Sequence, residues 1–134
     1  MTERTVVSRV NTTRMRANAI EAAEQCGVLR LPVVHEPRDL VSVIQAWPPD
    51  RSLFFADEAA DVTSPLSAFR GLERGAPVAV MVGPEGGFSD AERRLIRAIP
   101  SVRTVSLGPR IMRADTAAVA LLALVNAVIG DWVA

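Results

Sequence analysis

Val78-Ala79-Val80-Met81-Val82-Gly83-Pro84-Glu85-Gly86-Gly87-Phe88-Ser89-Asp90-Ala91-Glu92 is the stretch whose reading decides the fold. A β-branched run enters a glycine loop, and Ser89 with Glu92 has the spacing of a helix capping box. The pattern recurs downstream, where Val102–Val105 leads into Leu107-Gly108-Pro109-Arg110-Ile111-Met112-Arg113-Ala114-Asp115-Thr116 and then into a helical pattern. Strand, tight loop and helix N-terminus, used twice, is how α/β proteins build a ligand crevice at the carboxyl ends of strands. Glycine lets a ligand approach main-chain N–H and C=O groups, so the paired loops suggest a ligand held largely by backbone.

Around these two units the remaining elements read in order. Residues 1–13 read as extended or irregular, anchored by Val6, Val7 and Val10. A helical pattern runs from Arg14 to Cys26 and stops at Gly27. Leu31–Val34 is at best an edge strand because it holds Pro32. Asp39 caps a helix over Leu40–Ala46, closed by Trp47-Pro48-Pro49. Ser52–Ala56 is a buried strand candidate ending at the acidic pair Asp57-Glu58. Residues 57–76 are loop-like, with a helical turn near Leu66–Leu72. Val78–Val82 is a strand, a helix runs from Ser89 to about Ala98 before Pro100, and Val102–Leu107 is a strand. The last helix, Ala114–Ile129, is apolar on nearly every face, which predicts burial on several sides and a subunit interface. Strands alternating with helices indicate a mostly parallel sheet with helices on both faces. There is no internal repeat or low-complexity tract, so residues 1–134 read as one domain.

Composition bounds the function. The 134 residues are 49% hydrophobic, enough for one modest core. The longest apolar run, Ala117–Ile129, is too short to span a bilayer and contains Asn126, so no membrane is expected. Met-Thr-Glu-Arg-Thr lacks the apolar core of a secretion signal, and the single Cys26 forms no internal disulfide. A reducing cytoplasm is the expectation. Net charge is zero, so no global basic field gathers nucleic acid. All fifteen basic residues are arginine, from genomic bias or from phosphate recognition. Locally, Arg4, Arg9, Arg14 and Arg16 face one acid, Glu3, as a phosphate-contacting patch or a solvated surface.

Several common motifs fail. With no lysine there is no P-loop, and neither G-x-G-x-x-G nor G-x-S-x-G occurs. His35 is the only histidine and sits among Pro32, Val33, Val34 and Pro37, which reads as structural. No metal site built on histidine or cysteine is expected.

Three ordered elements carry a resemblance: residues 83–92, residues 107–117, and Glu21-Ala22-Ala23-Glu24-Gln25-Cys26-Gly27 followed by Arg30 and Pro32. Over nearly its whole length the chain resembles the C-terminal half of the small-subunit ribosomal RNA uridine N3-methyltransferases of the SPOUT superfamily. The resemblance implies an α/β domain ending in a trefoil knot, with S-adenosylmethionine (SAM) held in the knot by both loops. It implies cofactor contacts from Phe55, Gly83, Pro84, Glu85, Gly86 and Gly87. On the second loop it implies them from Leu107, Gly108, Ile111, Met112, Arg113 and Thr116. It also implies a homodimer with its active site near the interface, a ribosomal RNA substrate within the small subunit, and RNA contacts from Arg9, Arg14, Arg30 and Arg110.

The chain departs from the family at Val28, where arginine is usual, and at Asp115, where glutamate is usual. The family also has an N-terminal RNA-binding β-barrel and a first strand–helix unit, and the chain is expected to lack both. A missing strand would leave a sheet edge exposed.

Methylation of a uracil N–H needs in-line geometry and help with deprotonation. The catalytic candidates are Arg113, Asp115 and Glu85. Arg113 would stabilise a uracil oxygen as charge develops, or pair with Asp115. Asp115 is either a helix cap or a catalytic group, because a helix start stabilises its anion and lowers its basicity. Glu85 either orders its own loop or acts on substrate. Glu24 and Gln25 either reach the site or end an exposed helix, and Cys26 reads as core packing. Two rival readings are methylation of another RNA base and a non-catalytic dimerisation or RNA-binding remnant.

Overall fold

A computed structural model describes residues 1–3, 9–61 and 64–132. The extended reading of residues 4–8, with Val6 and Val7 as anchors and Arg4 in the basic patch, lies outside the described residues. The elements are α1 (Thr12–Cys26), α2 (Leu40–Gln45), β1 (Ser52–Ala56), a 3-10 turn (Pro65–Phe69), β2 (Val78–Met81), α3 (Asp90–Arg97), β3 (Val102–Val105) and α4 (Ala114–Val128).

Among the described residues three strands form one sheet in the order β2-β1-β3, and both pairings are parallel. Phe54 stands opposite Val80 on one side and Arg103 on the other. Because successive strand residues point to opposite faces, β1 builds two cores. Phe54 enters one with Phe69, Val105, Leu121, Val125 and Ile129. Leu53 and Phe55 enter the other with Leu40, Phe88, Ile96 and Ile99. The first core lies under α4 and the 3-10 turn, the second under α2 and α3, so the sheet is covered on both faces. Each fully buried side chain of this size contributes about 1.5–3 kcal/mol. Phe54 also stacks on Phe69 with ring centres 4.5 Å apart, and Phe55 meets Phe88 edge-on at 5.1 Å.

Local signals set the helix ends. Asn11 caps α1 by accepting from Arg14 N–H, which starts the helix two residues earlier than its apolar pattern suggests. Asp39 caps α2 through Ser42 N–H at 2.9 Å. The capping box of α3 is complete: Glu92 N–H donates to Ser89 Oγ at 3.2 Å, and Ser89 N–H donates to Glu92 Oε2 at 2.8 Å. Glu92 Oε1 also accepts from Glu3 N–H at 2.7 Å, pinning the N-terminal residues to α3.

Four expectations are corrected. Cys26, read as core packing, is exposed in the last turn of α1, a helix that buries only Thr12 and Ala23. Leu31–Val34 forms no strand and leaves Val33 75% exposed, because Pro32 removes a donor and no neighbouring strand supplies a ladder. The strands predicted over 78–82 and 102–107 end at Met81 and Val105, where the chain turns into the loops. Helix α4 is buried on one stripe only, at Leu121 and Val125, while Val119 is 69% exposed and Leu122 is also exposed. Its polyapolar sequence contacts this sheet on a single face. No helix among the described residues is long and apolar enough to cross a membrane.

Candidate functional site

All three parallel strands point their carboxyl ends at one cleft of about 130 Å3. Strand β1 contributes Ala56, and the two residues after it contribute Asp57 and Glu58. The loop after β2 contributes Gly83, Pro84, Glu85, Gly87 and Phe88. The loop after β3 contributes Leu107, Gly108, Arg110, Ile111 and Met112, and α4 closes one side with Ala114 and Ala117. The two loops singled out in the sequence therefore meet across one space.

The first loop is shaped by close packing. A Cβ on Gly83 would lie 2.8 Å from the Phe88 ring, so only glycine fits between strand and ring. Gly87 N–H donates to Pro84 O at 2.8 Å, closing the turn. The second loop is left open: among the described residues, the main-chain groups of Leu107, Ile111 and Met112 make no hydrogen bond. Free donors and acceptors on a cleft wall are what a ligand held by backbone requires.

Not every candidate reaches the wall. Phe55 is fully enclosed in the core, and Phe88, which packs against it, lines the cleft instead. Gly86 and Thr116 lie beside the lining. Arg113 and Asp115 stand at the N-terminus of α4, outside the cleft wall, with Arg113 Nε 3.6 Å from Asp115 Oδ1 and side chains 80% and 71% exposed. Asp115 Oδ1 accepts from Thr116 N–H at 2.7 Å. That bond, with help from Arg113, holds the Asp115 carboxyl below the usual carboxylate range and makes it a weaker base. Glu85 is exposed and has no hydrogen-bond or ion-pair partner among the described residues. Of the arginines expected to contact RNA, Arg110 is on the cleft, Arg9 and Arg14 line a separate groove at the start of α1, and Arg30 lines neither.

Sequence reasoning missed a charge network at the cleft. Asp57, buried at the end of β1, receives Arg97 Nη2 on Oδ2 at 2.7 Å and Arg93 Nε at 3.2 Å from Oδ1. The Arg93 contact is an ion pair without the alignment of a hydrogen bond. Arg93 also reaches Glu58 Oε1 at 3.2 Å and Asp90 Oδ1 at 3.6 Å. Asp57-Glu58 directly follows a parallel strand, and that position was the available signal.

Comparison with known proteins agrees with this geometry. The RNA methyltransferase domain family matches residues 1–126. The chain is similar to the ribosomal RNA small subunit methyltransferase E of Rickettsia conorii, at 28% identity over 87% of this chain and 47% of that protein. It is similar to the Bacillus subtilis protein of the same name, at 30% identity over 81% of this chain and 43% of that one. The solved ribosomal RNA small subunit methyltransferase E of Neisseria gonorrhoeae, bound to S-adenosyl methionine, superposes with a TM-score of 0.81 at 25% identity. That superposition covers 98% of this chain and 54% of the other. The chain thus spans about half the length of the relatives it matches. With the fold, the paired glycine loops and a match over nearly its full length, the chain belongs to the RNA methyltransferase domain family.

Proposed function

We propose that this chain is the methyltransferase domain of a SAM-dependent enzyme that methylates uridine N3 in small-subunit ribosomal RNA. The observation that carries the reading is the convergence of both glycine loops on one cleft at the carboxyl edge of the parallel sheet. The residues present fit SAM: free main-chain groups at Leu107, Ile111 and Met112 suit a polar nucleoside, and Phe88, Ile111 and Met112 suit its apolar faces. Gly83, Pro84, Gly87 and Gly108 would bring backbone to it, with Glu85, Gly86 and Thr116 at the margin. When bound, SAM supplies an electrophilic methyl group on a sulfonium.

The chain's own residues would do the rest. Arg113 and Arg110 stand exposed beside the cleft, available to hold a phosphate or a uracil oxygen as negative charge develops. Asp115, held as an anion, serves better to orient Arg113 than to take a proton. Glu85 is the freer carboxylate for deprotonation. Arg9, Arg14 and Arg30 extend the RNA-contacting surface. The cleft is smaller than the roughly 300–1,000 Å3 of ordinary small-molecule sites. The exposed α4 stripe at Val119 and Leu122 supports a homodimer that completes it. A trefoil knot around the second loop, and an RNA-binding unit outside residues 1–134, complete the reading.

The test is calorimetric titration with SAM, followed by transfer of labelled methyl to small-subunit ribosomal RNA and nucleoside analysis. Binding near one site per subunit with 3-methyluridine as product is expected. A different methylated nucleoside would move the reading to another RNA base. A folded chain that binds no SAM would overturn it.

A further inference from the structure

We propose that Glu58 is a specificity-determining carboxylate that senses the positive charge of the cofactor and so separates SAM from its neutral-sulfur product, S-adenosylhomocysteine. The inference rests on the proposed SAM binding and deepens it. Three carboxylates, Asp57, Glu58 and Asp90, share the guanidinium groups of Arg93 and Arg97, leaving one net negative charge at this end of the cleft. Asp57 is buried and contacted by both arginines, and Asp90 is not on the wall. Glu58 is the member that both lines the cleft and remains 53% exposed.

Its carboxylate is also held in place. Arg93, fixed by Asp57, grips Glu58 Oε1, while Oε2 accepts no hydrogen bond among the described residues. Gly87 adopts a φ of +67°, and a Cβ there would lie 3.1 Å from Glu58 Oε1, so the loop leaves room for the carboxylate against its backbone. A sulfonium seated at the Glu58 end of the cleft would lie within a screening length of about 8 Å of the carboxylate. Methyl transfer converts the sulfonium into a neutral thioether, which removes that attraction and favours exchange of product for fresh cofactor. Arg93 and Arg110 are the cations on the wall, and Glu85 is a further wall carboxylate, with no hydrogen-bond or ion-pair partner among the described residues.

The test is the ratio of SAM to S-adenosylhomocysteine affinity, measured by calorimetry on wild type, Glu58→Gln and Glu85→Gln. Glu58→Gln is expected to weaken SAM about fivefold while changing S-adenosylhomocysteine less than twofold. Sinefungin, which carries an ammonium in place of the sulfonium, should lose affinity as SAM does. Thermal unfolding should be nearly unchanged, since Glu58 is half exposed. Equal loss for all three ligands, or a ratio that moves only in Glu85→Gln, overturns the role of Glu58. A wild type that binds none of them overturns the SAM reading instead. Should Glu58→Gln unfold, wild type alone decides: its SAM preference must shrink as salt rises, and a salt-independent ratio rejects the inference.

Discussion

Strand β1 and helix α1 show how differently two segments of one chain are held. β1 has five residues, of which Leu53, Phe54 and Phe55 are buried; α1 has fifteen and buries only Thr12 and Ala23. The strand is fixed by ladders on both edges and by cores on both faces. The helix is tied mainly by polar contacts to residues 34–36: Thr12 Oγ1 to Glu36 Oε1 at 2.9 Å, and Arg16 to Glu36 and to Val34 O at 3.1 Å. It leaves Met15 and Ile20 exposed. Exposed ion pairs contribute at most about 1 kcal/mol, so position in this fold comes from apolar burial at the sheet, and the cleft is built where that burial is densest.

Phe54→Ala should have the largest effect, lowering stability by about 3–5 kcal/mol in chemical denaturation, because it empties a fully packed site. Met15→Ala, read in the same assay, should fall within about 0.5 kcal/mol. Similar losses for both would break the contrast between strand and helix. Asp57→Asn should cost about 2 kcal/mol. This is less than for a fully buried pair, because Arg97 is half exposed and water compensates it. An unchanged midpoint would mean the network does not brace the cleft.

The smallest effect concerns acid. Asp115 is held below its usual range first by Thr116 N–H, and Asp39 first by Ser42 N–H. A depressed folded-state value gives stability that is present above the unfolded value of about 3.9 and is lost as pH falls through the folded one. Amide exchange at Ser42 and Thr116 should therefore lose protection as pH falls below about 4, while the amides of β1 stay protected. Protection lost first in β1 would reverse the ranking.

Elements specified by near neighbours were legible. The continuous apolar run in 53–56, the β-branched runs in 78–82 and 102–105, the pair Ser89–Glu92 and the Asp39 cap each act within a few residues. The same locality explains the misses. Leu31–Val34 has a strand's composition, but a strand needs a partner, and the sheet of β2, β1 and β3 forms without it. Helix α4 is apolar on nearly every face, yet how many of its faces are covered depends on what packs against it.

The site divides along the same line. Both glycine loops could be read directly, because tight turns write their needs into adjacent residues. Phe55 and Phe88 share one core on the same face of β1; Phe88 reaches the cleft wall because it sits on the loop after β2, while Phe55 is fully covered within the strand. The amino-acid sequence by itself determined the strands, the loops after them, the helix caps and the membership of the family. Tertiary structure alone decided that Asp57 and Glu58 meet Arg93, thirty-odd positions away, and that Arg113 and Asp115 stand outside the cleft wall. Hydrogen bonds and turns are local, whereas the parallel crossovers that bring α3 over the end of β1 act across the whole sheet.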